Sequence, residues 1–242
     1  MQSASKENGS IKIVGPADRP KVIAVLTTAF TTCLLLRWLY PEPERYLRHF
    51  AGFLEYYAGD PYFDGSGAYL EDGQKGALLW LTDKAHRNDK RMMEYLLGSV
   101  PEDRRTETER LFEEFGKYHP EEPHWYFTML GIDPMHQGSG RGGRLFQYGL
   151  AILDEAKGLA FNEATSLGPA RLYERLGWKI GVRFRSAVRR PFSRWCAVSL
   201  DGPYARAGPG RSFVLPMNQD PNRSQGRRVR PLQDALVMLQ SQ

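Results

Sequence analysis

The sequence predicts one α/β domain with about six or seven strands, and three observations lead to that prediction. A strand, a glycine-rich loop and a helix follow one another between residues 124 and 157. Short alternating or apolar segments, typical of strands, lie on both sides of that unit, and segments with apolar residues at helical spacing separate them. The 242 residues, of which 41% are hydrophobic, suffice for one sizeable core.

The first half of the chain is predicted to alternate strands with helices. A capping Asp18 begins a helix whose apolar residues include Val22 and Phe30, and Asp72-Gly73 is a hairpin signal. After the first helix comes an apolar stretch at 34–40, which ends at Pro41 and Pro43. The predicted strands here are 11–14, 68–70 and 77–81, and the further helices are 44–57, 89–97 and 106–116.

The second half begins with strand 124–133, loop 134–142 and helix 143–157. A buried strand at 159–165 follows, then a short helix at 168–176 that Gly177 ends. The last strands, 178–186 and 195–200, form a predicted antiparallel pair. The predicted organisation is therefore a flexible segment 1–10, a domain 11–201 and a basic tail 202–242, in which 231–239 can form a short helix.

Composition narrows the class of protein. No apolar run reaches the length of a membrane span, and residues 1–10 lack a signal pattern. Cys33 and Cys196 cannot form a disulfide framework, and the five histidines show no metal-ligand spacing. We therefore expect a cytoplasmic protein with no metal. The net charge of +5 is concentrated in the arginine-rich tail, which we interpret as a solvated segment rather than a nucleic-acid-binding one.

The glycine-rich loop predicts an anion site. Its backbone N–H groups are unobstructed and precede a helix, whose N-terminus favours negative charge. The segment 138–143 satisfies G-x-G-x-x-G, and Glu163 lies where a dinucleotide fold has its ribose-binding acid. Five residues, 133–137, nevertheless separate the strand from the first glycine, and the chain has too few strand–helix units for a dinucleotide fold. A different phosphate-bearing ligand is therefore favoured.

Two motifs in a fixed order resemble the GCN5-related N-acetyltransferases, the GNAT superfamily. QGSGRG at 137–142 is similar to the superfamily's acetyl-CoA pyrophosphate loop, Q/R-x-x-G-x-G/A, and LYERLGW at 172–178 is similar to its second signature. The similarity extends over roughly residues 11–200 and is closest from 122 to 178. It implies a mixed, strongly twisted central sheet flanked by helices, and acetyl-CoA as cofactor.

Within that superfamily, the chain looks most similar to the puromycin N-acetyltransferase group. The matching segments are EPHWY at 122–126, FNE at 161–163, RWC at 194–196, AF at 29–30 and RW at 37–38. Two places depart from that group. Pro169 stands where many GNAT members have an asparagine that helps to hold the cofactor, and the segment 31–33 also differs, so puromycin itself is not a safe substrate assignment.

The resemblance implies a set of cofactor-binding residues. The loop amides hold the pyrophosphate, with added charge from Arg141, and the splayed edge of strand 124–133 aligns the pantetheine arm. A glycine within that strand, Gly131, suggests a bulge or a close backbone approach. The predicted cofactor-binding residues are Leu130, Gly131, Ile132, Gln137, Gly138, Ser139, Gly140, Arg141, Gly142 and Gly143.

Acetyl transfer to an amine also requires proton transfers. Tyr173 matches the superfamily's usual general acid for the leaving thiolate. A general base is expected for the amine, and the candidates are Glu163, which we prefer, and His124. A carboxylate in an apolar strand is costly to bury without a role or a partner, although a structural salt bridge would explain it equally well.

The acceptor site is predicted to hold a bulky, partly apolar amine rather than a polyamine, because its candidate walls are aromatic. The expected substrate-contacting residues are Trp38, Tyr40, Tyr126, Thr128 and Trp195. The expected function is acetyl-CoA-dependent N-acetylation of a small amine, of the detoxification or antibiotic-resistance type. A peptide or protein N-acetyltransferase and a non-catalytic acyl-CoA-binding module are the alternatives, and a homodimer is compatible with the sequence.

Overall fold

The structure, a computed structural model, describes residues 10–57, 59–63, 67–85, 88–117, 119–164, 173–174, 178–184 and 195–200, with the backbone alone for 179–184 and 195–200. The strands are β1 Ile11–Ile13, β2 Ala68–Glu71, β3 Gly76–Leu81, β4 Trp125–Ile132, β5 Ala160–Ala164, β6 Lys179–Phe184 and β7 Trp195–Leu200. The α-helices are α1 Arg19–Ala29, α2 Leu34–Leu39, α3 Pro43–Tyr57, α4 Asp60–Phe63, α5 Asp89–Ser99, α6 Arg105–Gly116 and α7 Arg141–Ala156. Short 3₁₀ turns occur at Pro16–Asp18, Asp72–Gln74, Glu102–Arg104 and Pro134–His136.

The seven strands form one mixed sheet in the order β1-β2-β3-β4-β5-β7-β6. Neighbouring strands are antiparallel except β4 and β5, which are parallel. A parallel pair requires a crossover connection, and α7 provides it between these two strands. The predicted mixed α/β sheet of about six or seven strands is confirmed.

Each face of the sheet is covered by its own apolar core. Helices α1 to α6 pack on one face, where their apolar residues meet Leu79, Leu81 and Tyr126. Helix α7 packs on the other face, because Leu145, Phe146, Leu150 and Leu153 recur at helical spacing and are buried against the sheet. The sheet is therefore a wall between two layers, and any opening through it would connect them.

A β-bulge interrupts the pairing of β3 with β4. Leu79 pairs with Met129 and Trp80 pairs with Phe127, so Thr128 is an extra residue in β4. An extra residue bends the strand and shifts the alternation of its side chains by one. Phe127 packs with the α7 core, whereas after the bulge Met129 packs with the opposite core. The bulge thus decides which residues of β4 face which layer.

Several boundaries differ from the sequence prediction. Helix α7 begins at Arg141, two residues earlier than expected.

Asp18 is the N-cap residue of α1 without a side-chain capping bond, because its carboxylate accepts a hydrogen bond from Lys21 Nζ at 2.6 Å instead. Of the predicted helix 168–176, the described residues are Tyr173 and Glu174, and both are helical. The tail 202–242, with its possible helix 231–239, and residues 1–9 lie outside the described residues.

The described residues contain neither a membrane-spanning helix nor a cluster of metal ligands. None of the helices in this part of the chain is long and apolar enough to cross a membrane. Within the same residues, no three His, Cys, Asp or Glu side chains lie where they could hold a metal ion.

Replacement of Gly149 by valine tests the close packing of α7 on the sheet. A Cβ atom at Gly149 would lie 2.9 Å from Leu78 Cδ2 and 3.3 Å from Trp80 Cζ3. We expect Gly149→Val to lower the free energy of unfolding by about 1–3 kcal/mol, because the added methyl groups overpack this contact. Denaturant unfolding measures it, and Gly98→Val is the matched control, since a Cβ atom there meets nothing within 4 Å. Equal effects of the two substitutions would contradict the packing.

Candidate active site

The central feature of the site is a gap between two parallel strands. β4 and β5 pair through Trp125–Ala160, Tyr126–Phe161 and Phe127–Asn162, and the pairing stops there although both strands continue. The bulge at Thr128 lies directly after the last pair. A cavity of about 70 Å³ occupies this region, and its lining includes Leu130, Asn162 and Tyr173. The splay predicted between these strands is present.

Tyr173 lies on the α7 side of the gap. Its ring stacks on Phe146 at a centroid distance of 4.9 Å, and the residue is 7% exposed. Burial raises the pKa of Tyr173, and a hydrogen bond with the Asn162 side chain opposes that rise in part. The phenol therefore keeps its proton at neutral pH and can act as a proton donor. The role of Tyr173 as general acid stays a prediction.

A second, larger cavity of about 640 Å³ lies on the other side of the sheet, and it shares Phe30, Thr128, Met129 and Glu163 with the gap. Aromatic side chains from the C-cap of α1 and from α3, α6 and β4 form part of its wall: Phe30, Phe53, Tyr57, Phe112, Phe115 and Tyr126. Its lining also includes five carboxylates: Asp83, Asp89, Glu121, Glu122 and Glu163. No described lining residue is a lysine or an arginine, so the cavity favours cations.

Glu163 lies where the two cavities meet. Its side chain is 13% exposed. The Tyr126 hydroxyl donates a hydrogen bond to Glu163 Oε2 at 2.8 Å, and His119 Nε2 lies 3.9 Å from Glu163 Oε1. The cost of burying this carboxylate is thus offset by polar neighbours on the cavity side.

His124 precedes β4 and lines the larger cavity. Its Nδ1 lies 2.8 Å from the Glu122 carbonyl oxygen, and its Nε2 lies 3.3 Å from His119 Nδ1. Burial lowers the pKa of His124, and the contacts with Glu122 oppose that change in part. His124 is therefore a neutral imidazole near pH 7. His119 lies between His124 and Glu163 and contacts both, and its ring packs against Tyr126 at a centroid distance of 4.6 Å.

The glycine loop has the geometry of an anion site. Gly138 and Gly140 have φ angles of 74° and 82°, a conformation that favours glycine. The first three backbone N–H groups of α7, at Arg141, Gly142 and Gly143, have no partner within the helix, as at every helix N-terminus. An added Cβ atom at Gly138, Gly140 or Gly143 would meet nothing within 4 Å, so the approach to these groups is open. The loop therefore offers open backbone N–H groups at a helix N-terminus.

The Arg141 side chain, which was predicted to add charge at the loop, pairs with a buried acid of β2. Its Nη1 donates to Glu71 Oε1 at 2.6 Å, and Arg144 Nη2 donates to the same oxygen at 2.8 Å. Glu71 ends β2 and is 1% exposed, so its charge requires these partners. These three residues, the Glu71 cluster, comprise one carboxylate and two guanidinium groups, so the cluster has a formal net charge of +1 at the start of α7. It ties the first turn of α7 to the sheet.

Two other loop side chains also have structural partners. Gln137 Nε2 donates to the Ile132 carbonyl oxygen at 3.0 Å, and the Ser139 hydroxyl donates to the His136 carbonyl oxygen at 2.6 Å. These bonds hold the loop against the end of β4. The contribution of Gln137 and Ser139 to a bound cofactor would therefore come from their backbone.

Gly131 is not the site of the bulge, contrary to one of the two expectations for it. A Cβ atom there would lie 2.8 Å from Ala29 Cβ and 2.9 Å from Leu26 Cδ2. The glycine allows α1 to approach β4 closely, and the bulge lies at Thr128 instead. Leu130, Gly131 and Ile132 nevertheless lie beyond the last β4–β5 pair, which is where the cofactor edge was predicted.

Of the five predicted acceptor residues, two line the larger cavity and two lie in the helical core. Tyr126 and Thr128 line the larger cavity, although the Thr128 hydroxyl donates to the Leu79 carbonyl oxygen at 3.0 Å. Tyr40 is 0% exposed and its hydroxyl lies 2.9 Å from Ser99 Oγ, so it cannot contact a substrate. Trp38 packs against the helical core, with the Arg104 guanidinium 5.6 Å from its ring. The Trp195 side chain lies outside the described residues.

Two residues of the site were missed from the sequence. His119 lies in the loop before β4, where no periodicity or motif distinguishes it. Glu71 has a recognisable signal, since it is a charged residue directly after an apolar strand segment. A buried acid there predicts a partner, but only the fold identifies Arg141 and Arg144 as that partner.

Replacement of Glu71 by glutamine tests the role of the arginine cluster. The change leaves two guanidinium groups beside a neutral amide, and breaking a buried ion pair in this way costs about 3–5 kcal/mol. We expect a fall of that size in the free energy of unfolding, measured with denaturant. Glu44→Gln is the control, because the exposed pair of Glu44 with Arg48 contributes about 1 kcal/mol or less. A similar small loss for both variants would show that the cluster is not structural.

Comparison with known proteins gives the fold. No family model matches the chain. A solved structure of "histone acetyltransferase HPA2 and related acetyltransferase" from Corynebacterium glutamicum is similar, with a TM-score of 0.58, 24% identity and coverage of 81% of this chain and 96% of that one. Arylalkylamine N-acetyltransferase 2 from Aedes aegypti is also similar, with a TM-score of 0.54, 13% identity and coverage of 79% and 97%.

The structural similarity establishes the architecture, but sequence identities this low leave the activity open. The resemblance to the puromycin N-acetyltransferase group has no support from these comparisons and stays a prediction. The sheet order, the gap between β4 and β5 and these similarities agree with the motifs at 137–142 and 172–178. The chain has the fold of the GNAT acetyltransferases.

Proposed function

We propose that the protein transfers an acetyl group from acetyl-CoA to the nitrogen of a small cationic amine. The observation that carries this proposal is the gap between β4 and β5. It lies along β4, the strand that leads into the glycine loop, and it shares part of its lining with an acidic and aromatic cavity. An acyl donor with a phosphate-bearing end and an acceptor with a positive charge would meet in such a gap.

The cofactor would be held mainly by backbone. The N–H groups at 138–143 would bind the pyrophosphate, helped by the N-terminal end of the α7 dipole and by the net positive charge of the Glu71 cluster. The edge of β4 at 130–132 would align the pantetheine arm. Acetyl-CoA supplies the thioester when bound, and the residues of the chain hold it and move protons. Pro169, the departure from the superfamily pattern, lies outside the described residues.

The larger cavity supports an amphipathic cation as the acceptor. Its carboxylates attract a positive charge, and its aromatic wall accommodates an apolar body. The sequence-based expectation favoured a bulky amine over a polyamine because the candidate walls are aromatic, whereas a polyamine site would require clustered acids. The acids are present, so a second positive charge on the amine is also accommodated. The Aedes aegypti protein is named for arylalkylamines, which have this character.

Two proton transfers accompany the reaction. The amine must lose a proton before it can attack, and the leaving thiolate gains one. Tyr173 borders the gap and keeps its proton, which supports it as the general acid. Glu163 and His124, the two predicted bases, both line the acceptor cavity.

Thiol release from acetyl-CoA tests the proposed function. The assay should include arylalkylamines, linear diamines, puromycin and aminoglycosides, together with amino acids as carboxylated counterparts. We expect turnover with cationic amphipathic amines and about tenfold or greater discrimination against the carboxylated ones, because a negative charge would face the carboxylates. Binding of CoA without turnover of any amine would favour a binding module, and turnover of peptides alone would favour protein acetylation. Failure to bind CoA would overturn the proposal.

Replacement of Tyr173 by phenylalanine tests the general acid. Loss of the hydroxyl removes a proton donor, and we expect kcat to fall by about 10²-fold or more while the KM for acetyl-CoA changes little. Steady-state kinetics of thiol release measure both constants. Tyr148→Phe is the control, because Tyr148 is a partly buried tyrosine of α7 that packs on Tyr69 away from the gap. An unchanged kcat in Tyr173→Phe would contradict this role.

A further inference from the structure

His119 occupies a position in the acceptor cavity that the sequence did not indicate. Its ring packs against both Tyr126 and Phe161, with centroid distances of 4.6 and 4.5 Å. Its two nitrogens have different neighbours. Nδ1 lies 3.3 Å from His124 Nε2, and Nε2 lies 3.9 Å from Glu163 Oε1.

The hydrogen bonds of His124 fix which nitrogen of His119 carries the proton. A carbonyl oxygen can only accept, so His124 Nδ1, at 2.8 Å from the Glu122 oxygen, must donate. A neutral His124 then has a lone pair on Nε2, which accepts a hydrogen bond from His119 Nδ1. Neutral His119 therefore has its proton on Nδ1 and its lone pair on Nε2, the nitrogen nearest Glu163.

We propose that His119 Nε2 is the general base that takes the proton from the amine, with His124 setting its tautomer and Glu163 stabilising the imidazolium that forms. This inference rests on the proposed function and assigns a residue to one step of it. An imidazole ionises near pH 6.5 and is a better proton acceptor at neutral pH than a carboxylate, which ionises near pH 4. Glu163 thus becomes a positioning residue rather than the base that the sequence favoured.

The protons balance through the reaction. The ammonium first gives one proton to His119 Nε2 and keeps the electron pair on nitrogen. As the N–C bond forms and the C–S bond breaks, Tyr173 gives its proton to the sulfur, and the second proton lost by the nitrogen restores the Tyr173 hydroxyl through solvent. The proton on His119 passes to solvent, so the net change is one proton released for each amine acetylated.

The surroundings of His119 suit this role. Glu163 faces it from β5, Tyr126 from β4 and His124 from the segment before β4. Burial lowers the pKa of His124, so that ring stays neutral and remains an acceptor while His119 gains a charge. A carboxylate opposite Nε2 stabilises the cation that forms there.

Replacement of His119 by asparagine tests the assignment. The asparagine amide can still donate to His124, but the basic nitrogen is lost. With an amine that is protonated at pH 7, we expect kcat/KM to fall by about 10²–10⁴-fold. The rate should then rise about tenfold per pH unit towards the amine's own pKa, since only the neutral amine reacts. With an aromatic amine that is already neutral at pH 7, the loss should be below about tenfold.

Controls separate this role from a structural one. His49→Asn should retain wild-type activity, because His49 stacks on Tyr40 outside the cavity. An equal loss for protonated and neutral amines, with an unchanged pH profile, would overturn the assignment, and so would full activity of His119→Asn. Failure of the wild-type protein to acetylate any amine would instead remove the proposed function.

A second measurement does not depend on the variant. Nitrogen-15 NMR of the histidine rings in the wild-type protein reports the tautomer of each ring at a pH where both are neutral. We expect the Nδ1-protonated tautomer for both His119 and His124. An Nε2-protonated His119 would overturn the proposal, because its lone pair would then face His124 instead of the cavity.

Discussion

The separation of β4 from β5 is the constraint on which the rest of the site depends. A sheet normally satisfies its backbone groups by continuous pairing. Here the pairing ends at Phe127–Asn162, and the bulge at Thr128 bends β4 at that point. The loss of pairing leaves strand backbone without a neighbouring strand, and it places Tyr173 and the acidic cavity on opposite sides of one gap.

The glycine loop depends on a second constraint, which is electrostatic. Glu71 is almost completely buried and would be costly there alone, but two arginines at the start of α7 compensate its charge. The same contact holds the N-terminus of α7 beside the end of β2. The loop therefore keeps its own side chains engaged, through Gln137 and Ser139, and leaves its glycines open. A bound anion would therefore contact backbone N–H groups and the positive end of the α7 dipole, because the Arg141 side chain is held by Glu71.

In the acceptor cavity, successive hydrogen bonds determine which nitrogen of each histidine carries the proton. The Glu122 carbonyl oxygen sets the tautomer of His124, and His124 sets the tautomer of His119. Burial contributes by keeping His124 neutral. Of these residues, the sequence indicated His124 alone as a candidate base. Their roles come from the order in which the loop before β4 brings their nitrogens together.

Local sequence determined the α/β class and the positions of most strands and helices, because periodicity and turn residues are local signals. Two motifs, which are also local, located the glycine loop and indicated Tyr173 as a candidate site residue. Only the tertiary structure decided the side-chain partners. Strict alternation along β4 fails at the bulge, and its extra residue depends on register with β3. Tyr40 and Trp38 are aromatic whether they line a cavity or a core, so composition could not separate the two. His119 and Glu163 are 44 residues apart and meet only because β4 and β5 are neighbours in the sheet.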